Sequence, residues 1–173
     1  MRIMVLGAFV MASACSGQPS DEGSIDVAAQ AANAALSTSQ ARREDTADSP
    51  SAREARSVVE RYFAAVNAKD FRTAHALWGN NGKDSGGSAD DLARAITIYS
   101  RYEPEVGKPT DVRVRDGMQY ILVSAKLFVE NRKTGNTASR DGNVMLRRSI
   151  NSNDADPAKR EWRIWGIDLR VRN

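Results

Sequence analysis

The chain has 173 residues, of which 41% are hydrophobic and 27% charged, and a formal charge of +3. That is enough for one domain with a real core plus appendages. A modest charge carried by scattered arginines argues against a nucleic-acid partner, and one histidine with one cysteine leaves too few soft ligands for zinc.

The opening run MRIMVLGAFVMASAC has a positive residue, Arg2, then an apolar stretch from Ile3 to Met11 and small residues Ala12, Ser13 and Ala14 before Cys15. It is too short to span a bilayer, which takes about 20 apolar residues. The arrangement resembles a bacterial lipoprotein signal, which implies that residues 1–14 are removed and Cys15 is lipidated. Ser16 after the cysteine then implies the periplasmic face of the outer membrane. Acylation of Cys15 would remove the only thiol, and with it disulfides and cysteine nucleophiles. Residues 15–50 are rich in Ala, Ser, Gln and Asp with few bulky apolar side chains, which reads as a flexible tether.

A folded domain is expected over 51–173. Ser51 and Glu54 have capping-box spacing, and Val58, Val59, Tyr62, Phe63 and Val66 give the first helix an apolar face up to about Asn67. Asp70 is placed to cap a second helix over Phe71 to Leu77, which ends at Gly79-Asn80-Asn81-Gly82. Ser88 with Asp91 repeats the capping box, and Leu92, Ile96 and Tyr99 share one face of a third helix.

The periodicity then changes to that of strands. Thr110 to Arg115 alternates, with Val112 and Val114 on one side, and Asp116-Gly117 supplies a turn. Met118 to Glu130 reads as a long strand with Ile121, Val123, Ala125, Leu127 and Val129 on its buried face and Tyr120, Leu122 and Phe128 on the other. Asn131 to Asn143 reads as a polar loop, followed by a strand through Val144, Leu146 and Ile150 with Arg147 and Arg148 on opposite sides. In the last strand, Glu161 to Val171, Trp165, Ile167, Leu169 and Val171 share a face opposite Trp162 and Ile164. The sum is an α+β fold: three N-terminal helices on a curved, mostly antiparallel, four-stranded sheet.

This order, the run Val59-Glu60-Arg61-Tyr62-Phe63-Ala64-Ala65-Val66-Asn67-Ala68-Lys69-Asp70 and the closing Glu161-Trp162-Arg163-Ile164 resemble the nuclear transport factor 2 superfamily, above all its ketosteroid isomerase and polyketide cyclase branches. The resemblance implies a cone-shaped domain over about Ser51 to Val171, and it says little about function, because this fold hosts enzymes, binding proteins and assembly modules. It also implies that Tyr62 stands where the isomerase tyrosine donates to a developing oxyanion. The base expected about two dozen residues on has no match at Gly86 and Gly87, with Asp84 nearby in a glycine-rich break, and the later protonated carboxylate also lacks a match.

The favoured expectation is therefore a non-enzymatic envelope module binding a small apolar ligand or a protein partner. The alternative is an isomerase- or cyclase-like enzyme using Tyr62 and an acid such as Asp84. His75 reads as a semi-exposed helix residue, and Asp84, Asp90 and Asp91 lack calcium-loop spacing. No phosphate-cradling loop between strand and helix and no serine elbow occurs, so no cofactor or metal is expected. Arg113, Arg115, Arg147 and Arg148, with Arg163 and Arg170, read first as a solvated outer face and second as an interaction face for acidic lipid headgroups, an anionic polymer or a protein, and they would repel across strands unless paired. Trp78, Trp162 and Trp165 read as core, and an open sheet face leaves a homodimer as one expected assembly.

Overall fold

In the computed structural model the described residues are 47–151, 153 and 156–171. The expected signal with Arg2 and Cys15, and the expected tether up to residue 46, lie outside them. Three helices are followed by an antiparallel sheet of five strands, so the fold is α+β.

Helix α1 spans Pro50–Asn67 and is capped by Ser49, whose hydroxyl accepts from the Ala52 amide at 3.1 Å. The expected cap, Ser51, is instead the second residue of the helix. Pro50 explains the shift: its fixed φ suits the first helical position, where an N–H would be orphaned in any case. Ser51 and Glu54 instead both receive hydrogen bonds from Arg148, at 2.8 and 3.0 Å. The apolar face predicted for α1 is buried throughout: Val58, Val59, Tyr62, Phe63 and Val66 all enter the core.

Asp70 caps α2 (Phe71–Ala76) through the Thr73 amide, and hydrogen bonding from the Thr73 side chain, then from its amide, holds the exposed carboxyl below the usual carboxylate range. Ser88 and Asp91 form a full capping box on α3 (Ala89–Thr97). Between these helices the chain passes through left-handed Asn80, Asn81 and Gly82 and a 3-10 turn at Lys83–Ser85.

Tyr99 is not the last residue of a helix. It opens strand β1 (Tyr99–Pro109), which the sequence concealed. Strand β1 pairs only with the long strand β3 (Met118–Asn131), so it is an edge, where Pro104 and Pro109 are tolerated. The short strand β2 (Arg113–Arg115) pairs with the start of β3 through the Asp116-Gly117 turn, in which both residues have positive φ. Val112 is buried while Val114 is exposed, so the two do not share an environment. Strand β4 spans Thr137–Ser149 and pairs with β3 along its whole length, so most of the expected 131–143 loop is strand and the true connection is 132–136. The four-stranded count becomes five, in the order β1-β3-β4-β5 with β2 beside β3.

Strand β5 (Arg163–Val171) contains a bulge: Leu146 opposes Ile164, but Met145 opposes Gly166. Trp165 is the extra residue. The bulge resets the alternation, so Ile164, Ile167 and Leu169 pack toward the core and Trp165 is turned out. The expectation that Trp165 is core and shares a face with Ile167 fails for that reason; Trp78 and Trp162 are buried as expected.

The core lies between α1 and one face of the sheet. Ile121, Val123, Ala125, Val144, Leu146 and Ile164 meet Val58, Val59, Tyr62, Phe63 and Val66 there. Leu77 to Gly79 is laid along the free edge of β5: the Ile164 amide donates to Leu77 and the Gly79 amide to Ile164. This places Trp78 over the core and carries the glycine-rich turn to the end of the sheet.

Candidate functional site

Three places carry chemistry: the aromatic interior around Tyr62, the outward face of the sheet, and a hollow at the end where β4 leaves it.

Tyr62 is 4% exposed, and its ring meets Phe63 and Trp78 edge-on at 5.2 and 6.1 Å between centroids. Burial pushes its phenol up to about 12, with the nearby Trp78 indole pulling weakly the other way. That indole N–H is buried and forms no hydrogen bond of good geometry. Tyr102, tilted against Phe63 at 6.5 Å, is also pushed up, first by burial and then by the neighbouring Tyr62 and Tyr99. No described carboxylate accepts from or donates to Tyr62. A chain of packed aromatic and aliphatic side chains fills the space between α1 and the sheet, and the hollows described below lie at its margins.

These phenols yield a pH prediction. In the unfolded chain a tyrosine deprotonates near pH 10, whereas folded Tyr62 holds its proton to about 12. The Tyr62 contribution is complete below about pH 10 and is lost as pH rises through about 12, at ~1.4 kcal/mol per pH unit over that window. Urea unfolding at about pH 9 and about pH 11.5 should show this loss, and Tyr62→Phe should flatten the slope; an unchanged slope would exclude Tyr62 as a source.

Asp84 sits in the 3-10 turn after Gly82, with its side chain 13% exposed. Its carboxylate accepts from Arg147 at 2.8 Å and from the Asn80 amide at 2.6 Å. The turn is pinned by His75, whose Nε2–H donates to the Gly87 carbonyl at 2.9 Å while its ring covers Gly82. Gly82 has φ +88°, and a Cβ there would fall 1.9 Å from the imidazole, so both backbone and space require glycine. His75 is thus a strut for the turn, half-buried on α2.

The register places Arg113, Tyr120, Arg147 and Arg163 in one row across β2, β3, β4 and β5. The like charges are offset as expected: Arg147 by Asp84, Arg163 by Glu161 at 2.7 Å and by the Ala76 carbonyl at 3.0 Å. Arg113 has no acidic partner among the described residues, and Arg115 reaches only its neighbour Asp116 at 3.2 Å. Arg148 faces the other side, where its guanidinium lies 4.7 Å over Trp162 and ties β4 to Ser51 and Glu54. The four arginines read as one face are therefore three on one side and a helix clip on the other. Arg170 is exposed and paired with Asp168.

On the arginine-bearing face Trp165 is 46% exposed and Leu122 38%. Tyr120 meets Trp165 edge-on at 5.9 Å, Arg147 lies 5.7 Å over the same indole, and the Met145 methyl covers Gly166. The result is an apolar strip with a basic end. Sequence reasoning missed Trp165, and the only signal was Ile164 and Ile167 standing three apart, which a regular strand cannot bury on one face.

The hollow at the end of the sheet has a volume of about 310 Å³. It is bounded by the 78–81 turn, Met118, the Arg147–Arg148 end of β4, the Asp156–Lys159 turn and Arg163. A second hollow of the same volume, on the outward face of the sheet, is lined by Glu105, Ser124, Lys126, Asp141 and Asn143 with two glycines.

Among the described residues no group of three His, Cys, Asp or Glu side chains is placed to hold a metal ion. No described helix is long and apolar enough to cross a membrane. No family model, curated protein or solved structure matches this chain.

Proposed function

We propose that the chain is a non-enzymatic envelope module that binds a protein partner through the outward face of its sheet. The carrying observation is an apolar strip on the outward face: Trp165 and Leu122 are exposed, with half-buried Tyr120 and Met145 between them and Arg113 and Arg147 at the edge, while the space beneath α1 is packed. An exposed tryptophan with arginines at its edge has the composition of a binding hot spot. The partner should bring an apolar surface with carboxylates at one end. A second copy is the weaker occupant, because a two-fold contact would set unpaired Arg113 against the same basic end.

The lipoprotein reading of Arg2 to Cys15 belongs to this proposal, since it would hold the domain at the periplasmic face of the outer membrane by its tether. So does a cone-shaped fold like that of nuclear transport factor 2, supported by three helices preceding an antiparallel sheet. A small apolar ligand finds less support, because Tyr62, Phe63, Trp78 and Trp162 occupy the interior. The isomerase-like reading rests on Tyr62, whose phenol meets aromatic rings, and on Asp84, whose carboxylate is held by Arg147 and Asn80.

The experiment is envelope pull-down with wild type, Trp165→Ser/Leu122→Ser and Arg113→Glu. Both variants should melt within a few degrees of wild type, since surface changes cost about 0.5 kcal/mol or less. Recovery of the same partner should fall at least about tenfold in each. Undiminished recovery by both variants would remove this face from the account.

A further inference from the structure

We propose that the hollow at the end of the sheet is a binding site for a phosphate monoester. It goes beyond the partner-binding face, with which it shares only Arg147.

Four cationic residues border it: Arg147 and Arg148 from β4, Arg163 from β5, and Lys159 from the turn before β5, with the Arg148 guanidinium turned toward α1. Among the described residues that line it, Asp156 is the one carboxylate. Each cation already has a partner, and the kind of partner is informative. The side chains of Arg147, Arg148 and Arg163 are only 28%, 21% and 25% exposed, whereas Glu54 and Glu161, which pair with the latter two, are 66% and 67% exposed. Such exposed carboxylates hold their arginines weakly and can yield to a ligand. Neutral groups also hold two of the arginines: Arg148 lies over Trp162 and donates to Gln119 and Ser51, and Arg163 donates to the Ala76 carbonyl, while Arg147 is held by the Asp84 carboxylate. The donors are therefore held in place before any anion arrives, which lowers the ordering cost of binding.

A monoester dianion carries about −1.5 to −2 and three acceptor oxygens, which suits several donors from separate strands better than the two oxygens of a carboxylate. A volume of about 310 Å³ lies at the small end of ligand sites and admits a phosphate with a three-carbon head. Trp78 and Met118 line the same hollow and give the carbon portion an apolar wall.

The full chain, purified in neutral detergent, is titrated calorimetrically with glycerol 3-phosphate. One saturable site is expected. Lys159→Glu and Arg163→Gln should each weaken it at least about tenfold, the loss of one charge-assisted hydrogen bond. Arg170→Gln, on the exposed part of β5, should leave it unchanged. Non-saturable binding, or equal weakening by all three substitutions, would mean diffuse charge and overturn the site. If Arg163→Gln does not give a cooperative melt, Lys159→Glu decides alone, since Lys159 is exposed in a short turn. Arg147 is left intact so that this result and the pull-down result stay independent. Vesicles carrying phosphatidic acid then identify the source: displacement of glycerol 3-phosphate assigns the site to a lipid headgroup, and its absence to a free ester.

Discussion

Gly142→Val should abolish the folded state or destabilise it by at least about 3 kcal/mol, the largest effect of any single substitution considered. A Cβ at Gly142 would lie 2.0 Å from the Asp168 carbonyl oxygen, 3.1 Å from its carbon and 3.3 Å from the Leu169 Cα. All three are main-chain atoms of the neighbouring strand, so no rotamer change can relieve the clash; β4 and β5 would have to part. Gly166→Ala is the matched control. A Cβ there meets the Met145 methyl at 2.4 Å, the end of a flexible side chain that can turn aside. Its cost should stay below about 1.5 kcal/mol. Denaturant unfolding of the two variants checks the account, and equal stability would show that the β4–β5 approach is not as tight as described.

Trp162→Ala should cost about 3–5 kcal/mol, a large fraction of the roughly 5–15 kcal/mol that holds a domain of this size folded. Two effects add. The indole is 3% exposed within the core, so its removal leaves a cavity. It is also the plate on which Arg148 lies at 4.7 Å, and Arg148 ties Ser51 and Glu54 of α1 to β4. Losing the plate should loosen the start of α1 first. Hydrogen exchange should therefore show the amides of residues 52–56 losing protection more than those of β3. Uniform loss across the domain would mean that Trp162 acts through volume alone.

Much of this fold could be read from the residues because local and tertiary signals agree. The caps at Asp70 and Ser88, the Asp116-Gly117 turn and the alternation of β3 each depend on neighbours in sequence, and each was found where expected. Strand β1 was hidden because its inward positions are Tyr102, Pro104 and Val106, with Gly107 and Pro109 close behind. Its single pairing with β3 tolerates residues that an interior strand would exclude. The first half of β4 was hidden because Thr137 to Asn143 is polar and takes its structure from β3 opposite. At the candidate site, the alternation of Arg147 and Arg148 was legible, since period 2 decides it. The exposure of Trp165 was not, because one bulged residue inverts everything after it. The strut role of His75 was equally invisible, as its partner Gly87 lies across a turn whose path depends on four left-handed residues, Asn80, Asn81, Gly82 and Gly86.

The central claim is that recognition uses the outward sheet face. A photo-crosslinking amino acid placed at position 165, at 122, or at Glu60 on the exposed side of α1 tests it most directly in living cells. Exposed side chains at all three positions make the comparison fair. The account predicts the same adduct from 165 and 122 and none from 60. An adduct from 60 with none from 165 or 122 would contradict it.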